Sequence, residues 1–155
     1  MTEYASNVWT DELFEFGGGV RAARLARHEG RGLVAGVWEL DPGADVVYHL
    51  HHGTDEYLVV LRGRPTLRTP DGERELAEGE VAAFPKGRDG AHGLANRTDA
   101  VVRYLMVAAH GTPEVIEYPD KGLVVVGSKT PSHDGGELFT AFRLTDAVDP
   151  AERSS

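Results

Sequence analysis

Turn signals cut this chain into short pieces, and that punctuation constrains the fold more than any other feature. Glycine occurs 19 times and proline 8 times. The clusters Gly17-Gly18-Gly19, Glu29-Gly30-Arg31-Gly32, Asp41-Pro42-Gly43, Pro70-Asp71-Gly72 and Glu78-Gly79 separate short apolar runs. Such runs between breakers read as strands, and many in succession make a sandwich or barrel. The pattern predicts strands near 20–28, 33–40, 45–51, 56–62, 65–69, 73–77, 81–85, 92–96 and 101–109. Residues 69–73 read as a hairpin, because Asp71-Gly72 accepts the positive φ angles of a tight turn. Pro65 cannot donate a ladder hydrogen bond and is expected at an edge or bulge. Residues 20–28 are ambiguous, since their Ala and Arg favour helix while the surrounding pattern favours strand.

The gross numbers bound the function. A chain of 155 residues has the size of one domain, 1–155, and can bury a core without cross-links. It has no cysteine, so a bound metal must be held by nitrogen and oxygen. The start of the chain lacks a basic, apolar leader and no stretch has the length of a membrane span, so a cytoplasmic protein without membrane contact is expected. The formal net charge of −9 opposes binding to nucleic acid. Arg21, Arg24, Arg27 and Arg31 form a local exception, read as a solvated face or, alternatively, an anion-binding rim.

Chemistry concentrates between Gly43 and Gly63. His49 and His51 sit two apart in the predicted strand 45–51, so both point to one face. The run His52-Gly53-Thr54-Asp55 then turns the chain, and a second apolar strand begins at Glu56, which the hairpin folds back over the histidines. Two imidazoles and a carboxylate suit a divalent transition metal with open positions. His92 is a further candidate downstream, with Asn96 four residues later.

These residues carry a resemblance to the cupin superfamily. Residues 43–63 match its first motif, G(x)5HxH(x)4E(x)6G, without a gap, and residues 79–96 resemble the second, G(x)5PxG(x)2H(x)3N. One departure stands in the second motif: four residues, not two, separate Gly87 from His92. The resemblance covers roughly residues 33–109, with extensions 1–32 and 110–155, and implies an all-β double-stranded β-helix, or jelly-roll barrel, like that of small single-domain bacterial cupins. It also settles 20–28 as strand. It implies His49, His51, Glu56 and His92 as ligands of a divalent metal: iron, manganese, nickel, cobalt, copper or zinc. Such cupins resemble dioxygenases, isomerases, lyases and cyclases acting on small molecules, or non-catalytic ligand-binding and metal-braced modules, and many are homodimers.

Alternation from Glu56 puts Leu58 and Val60 inward and Tyr57, Val59 and Leu61 outward; Leu94 follows His92 inward, leaving Gly93 and Ala95 out. An apolar wall of this kind suits a small organic molecule that chelates the metal through its own oxygens, and suits a phosphosugar less well. Tyr48, Tyr57, Tyr104, Arg103 and His110 are the nearby titratable residues, and core or surface roles account for each without catalysis. His52 should point away from the metal, and His28 and His133 read as surface residues. Past Pro113, the apolar runs 123–126 and 138–144 can pack on the barrel or pair with a neighbouring subunit. The tail after Asp149 is expected to fray.

Overall fold

A computed structural model of the chain describes residues 5–25, 32–109, 111–131, 136–147 and 149. Arg27, His28, Arg31, His110, His133 and the end of the tail lie outside the described residues. Thirteen strands follow one another among those described: β1 Phe14–Gly17, β2 Val20–Leu25, β3 Leu33–Leu40, β4 Asp45–His51, β5 Asp55–Arg62, β6 Thr66–Thr69, β7 Gly72–Glu75, β8 Val81–Phe84, β9 His92–Ala95, β10 Val102–Ala109, β11 Glu114–Tyr118, β12 Leu123–Pro131 and β13 Glu137–Arg143. All the strand pairings are antiparallel. They form two sheets, ordered β1-β2-β3-β10-β5-β8 and β13-β12-β11-β4-β9-β6-β7. The turn spacing predicts a barrel or sandwich of short strands, and the resemblance implies this all-β jelly roll. No helix among the described residues is long and apolar enough to cross a membrane.

The inner faces of the sheets meet in one core of Leu40, Leu58, Val60, Leu67, Leu76, Phe84, Leu94, Val102 and Tyr104. Leu58 and Val60 are each only 1% exposed, as alternation from Glu56 requires, while Tyr57 faces solvent. Each such side chain contributes on the order of 2 kcal/mol by leaving water. Leu61 faces the other way and joins a smaller cluster of Ala23, Leu25 and Val37, covered by Val8 and Leu13 of the amino-terminal segment. Asn96 is buried and ties the barrel end together. Its Nδ2 donates to the carbonyls of Leu40 (2.9 Å) and Ala100 (2.7 Å), and its Oδ1 accepts from the Thr98 amide.

Several expectations need correction. β1 and β11 were not anticipated, and both border the site described below. Pro65 is neither at an edge nor in a bulge: it is buried just ahead of β6, which lies between β9 and β7. A proline there leaves every ladder donor of the strand intact. The run 123–126 belongs to a longer strand, β12, while 138–144 matches β13 to within one residue, and both extend the second sheet through β11 alongside β4. Arg21 is held by Glu39 and Asp41, with Nη2 2.6 Å from Asp41 Oδ1, so it belongs to a part-buried ion-pair network; Arg24 is exposed.

Candidate metal centre

β4 delivers the first two donors. His49 pairs across the ladder with His92 of β9, and His51 pairs with Ile116 of β11. The β4–β9 register shifts between Val46 and His49. This irregularity turns Val46 toward the core, where uninterrupted alternation would have placed it outside with Tyr48. Glu56 enters near the start of β5, opposite Phe84 and Ala108. Ligand atoms of His49, His51 and Glu56 all lie within 4.8 Å of one another. His92 completes the group: its Nε2 is 3.5 Å from Glu56 Oε2, its ring is 4.5 Å from that of His49, and it stacks flat on Phe84 at 3.8 Å.

The extra length of the second motif has a structural role. Residues Arg88–Gly90 make a single 3-10 turn between β8 and β9. A Cβ at Gly90 would lie 1.7 Å from the Pro85 carbonyl oxygen, so only glycine fits this crossing. The Gly90 carbonyl in turn accepts from His92 Nδ1 at 2.9 Å. Four residues thus place His92 where the family pattern uses two.

Each histidine is oriented by its other nitrogen. His49 Nδ1 donates to the Val47 carbonyl at 2.7 Å, His92 Nδ1 to Gly90, and His51 Nδ1 to Glu114 Oε1 at 3.2 Å. Thr54, almost fully buried, donates its hydroxyl to the other Glu114 oxygen. All three δ nitrogens are therefore engaged away from the cavity, and the ε nitrogens are left for a common centre. His92 Nε2 and Glu56 Oε2 are buried and make no hydrogen bond. Orphaned buried donors and acceptors are costly, and here they aim at one point. Three imidazoles and one carboxylate fit a divalent transition ion, and they leave room in its coordination sphere for other molecules.

Electrostatics separate the four groups. Burial pushes the His92 imidazole down to about 4, helped by the neighbouring His49. His49 is also lowered, chiefly by burial. For His51 burial acts in the same direction, but Glu56 and Glu114 on its two sides outweigh it and leave it raised. Burial would raise Glu56; the pull of His51, 3.3 Å away, and of the other two imidazoles outweighs it and lowers it.

Around this centre lies a cavity of about 600 Å3, lined by Phe16, Trp38, Leu58, Leu94, Tyr104, Met106 and Tyr118 along with the four polar residues. Leu58 and Leu94 face it as alternation predicts, while Val60 packs in the core beyond. Tyr104 is buried at its edge, and burial raises its hydroxyl well above the usual tyrosine range. The other candidates lie elsewhere. Tyr48 is on the outer face beneath the Arg68 guanidinium at 4.0 Å, beside Gly93 and Ala95, which line a groove there. Tyr57 is exposed, and Arg103 is buried behind the first sheet, 3.6 Å from Glu39. His52 is half exposed and meets Glu117, pointing away from the centre as expected. Sequence reasoning missed Glu114, Thr54, Phe16, Trp38 and Tyr118. The one available signal was the period-two placement of Glu114, Ile116 and Tyr118, which puts an acid and an aromatic on one strand face.

A jelly roll whose cavity is lined by a His49/His51/Glu56 group with His92 beside it defines the class. Residues 36–108 match the family model described as a cupin domain. Over those residues the chain is a cupin domain. Its structure is similar to a sugar phosphate isomerase of the cupin superfamily from Silicibacter pomeroyi, at 29% identity and TM-score 0.72 over 86% of this chain and 82% of that one. It is also similar to an RmlC-like cupin from Shewanella frigidimarina, at 19% identity and TM-score 0.60 over 72% and 96%. A third likeness is the polyketide cyclase RemF from Streptomyces resistomycificus, at 21% identity and TM-score 0.59 over 70% and 81%. No curated protein matches the sequence.

Proposed function

We propose that this cupin is a divalent-metal-dependent enzyme acting on a small organic molecule that chelates the metal through its own oxygens, in reactions of the dioxygenase, isomerase, lyase or cyclase type. The observation that carries the reading is the orphaned pair His92 Nε2 and Glu56 Oε2, buried and convergent with two further imidazoles whose δ nitrogens are already committed. His49, His51, Glu56 and His92 would hold the ion. When bound, it supplies Lewis acidity toward a carbonyl or enolate oxygen, or a site for a redox partner. The protein contributes the imidazoles of His49 and His92, which burial favours in the neutral form, the apolar walls that exclude water, and the Tyr118 hydroxyl at the cavity wall, which partial burial keeps protonated at neutral pH. Although the Silicibacter relative is called a sugar phosphate isomerase, the residues lining this cavity include no lysine or arginine to meet a phosphate.

A non-catalytic binding or metal-braced module is the second reading. It draws support from the described lining residues, which include no histidine or lysine outside the ligand group. Metal analysis of anaerobically purified protein separates the two, followed by oxygen uptake and product formation across enols, catechols and β-diketones. The enzyme reading expects about one transition ion per chain and turnover of at least one probe. Protein that takes up no metal sinks it, and metal with ligand binding but no turnover favours the module.

The chain is read as a cytoplasmic homodimer. β13 ends the second sheet with Phe139 and Phe142 exposed, an edge suited to a second copy. Light scattering should give twice the 16.8 kDa chain mass; a monomer at micromolar concentration contradicts this.

A further inference from the structure

The cavity walls say more about the occupant than the metal ligands do. On the first sheet, Trp38 of β3 and Tyr104 of β10 are register partners. Their rings lie nearly parallel, 9° apart with centroids at 6.4 Å. Phe16 of β1 continues the row, its ring 5.5 Å from that of Trp38. On the second sheet, Tyr118 of β11 lies 28° from the His49 ring at 5.8 Å. Both walls of the cavity therefore carry aromatic rings, and Leu94 and Met106 line it as well.

Phe16 is held at the mouth by an unusual turn. Gly17, Gly18 and Gly19 all have positive φ, at 91°, 62° and 77°, and the turn folds β1 back onto β2. This conformation suits glycine and strains other residues. The result is a phenylalanine two-thirds exposed, yet leaning over the cavity. Leaving that ring in water is unfavourable unless something apolar covers it.

Charge narrows the choice. Among the described lining residues, the acids are Asp45 and Glu56, and no lysine or arginine stands beside them. Apart from the metal, a phosphate would meet no lysine or arginine among the described lining residues. A volume of about 600 Å3 is ample for a fused ring system, beyond what a three-carbon or five-carbon chelator would fill.

We infer that the substrate is a planar, conjugated hydroxy-aromatic or polyenolic molecule of two or more rings, neutral or singly ionised, whose ring system lies between the Phe16–Trp38 wall and Tyr118 while adjacent oxygens reach the ligand group. This deepens the enzyme reading and rests on it for the oxygen contacts, but the ring contacts stand on separate residues. Phe16, Trp38 and Tyr118 are specificity determinants in this assignment, and none is a metal ligand.

The test uses the full-length protein loaded with zinc, which cannot oxidise the probes. Calorimetric titrations compare 2,3-dihydroxynaphthalene, acetylacetone and ribose 5-phosphate, with zinc content measured on the same samples. The diol is expected to bind at least about tenfold tighter than acetylacetone, and ribose 5-phosphate not to saturate, since each aromatic contact adds roughly a few-fold. Phe16→Ala and Tyr118→Leu should each weaken the diol by about three- to tenfold, and Phe16→Ala should leave acetylacetone unchanged. Phe16 is exposed, so its variant tests binding without a loss of core. Equal affinity for the diol and acetylacetone, saturable binding of the phosphosugar, or indifference of the diol to both variants overturns the inference. Zinc-free protein that still binds the diol in a Phe16-dependent way keeps the aromatic cleft and overturns the metal reading; zinc-loaded protein that ignores the ring overturns the cleft alone.

Discussion

Glu56→Gln should strip the protein of its metal while leaving the barrel folded. The substitution keeps the shape of the side chain and removes the charge that faces His51 and His92. If four donors share equally in an apparent 10–16 kcal/mol of binding, removal of one forfeits about 3 kcal/mol, roughly a hundredfold in affinity. Loss of the only anionic ligand should exceed that share. Glu114→Gln provides the graded comparison. Glu114 touches no substrate; it positions His51 through Nδ1 and is itself fixed by Thr54. Outer partners of this kind are worth on the order of 10–100-fold in metal affinity. The expected series is therefore wild type, Glu114→Gln weakened by about tenfold, and Glu56→Gln weakened by a hundredfold or more. Competition against a chromophoric chelator measures all three, and circular dichroism checks the fold. Full metal affinity in Glu56→Gln would remove this carboxylate from the ligand set. A Glu114→Gln protein as weak as Glu56→Gln would make Glu114 a ligand and not a positioning residue.

The difference between those two glutamates is also the difference between what the sequence discloses and what it conceals. Glu56 lies five residues from His51, across one short turn, so strand alternation and turn chemistry suffice to bring them together. The same rule places Leu58 and Leu94 against the cavity, and the observed bounds of β3 and β4 match the predicted ones residue for residue. Glu114 is 63 residues from His51. It arrives through β11, which adds to the free side of β4 after the chain has left the stretch with motif spacing. No local pattern states which edge a late strand will join, because that choice depends on the partner edge left open by the rest of the sheet. β1 was concealed for a related reason. It is four residues long and entirely exposed, so its Phe14-Glu15-Phe16 alternation is too short to mark a strand, and only its pairing with β2 makes it one. The register shift in β4 was likewise invisible, since bulges leave periodicity intact on either side. The proposed ligands His49, His51 and Glu56 are thus local and legible, whereas His92, the supports and the aromatic walls come from long-range pairing.

The stripped protein should be acid-labile well above the range in which carboxylates protonate. His92 is 2% exposed and titrates at about 4 in the fold, against an ordinary value of 6.5. Between those limits the unfolded chain takes up a proton that the native site refuses, so stability falls as pH drops. A difference of that size corresponds to about 3 kcal/mol, fully present above pH 6.5 and gone by about pH 4. His49, lowered by burial, adds in the same direction. His51 opposes it: its raised value means that a proton held between Glu56 and Glu114 stabilises the fold below pH 6.5, and that contribution fades as pH climbs past the raised value. Glu56, lowered, contributes above its ordinary range and yields only at the acid end. Two histidines destabilise on acidification and one resists, which leaves a net loss through the window between pH 6.5 and 4. Urea midpoints of chelator-treated protein at pH 7.5, 6, 5 and 4.5 should therefore decline steadily, and His92→Asn should flatten the decline even if its midpoint at pH 7.5 is lower. A flat profile in the parent down to pH 4.5 would mean that water or a counter-charge reaches the imidazoles, and the dry, convergent donor group inferred for this site would no longer stand.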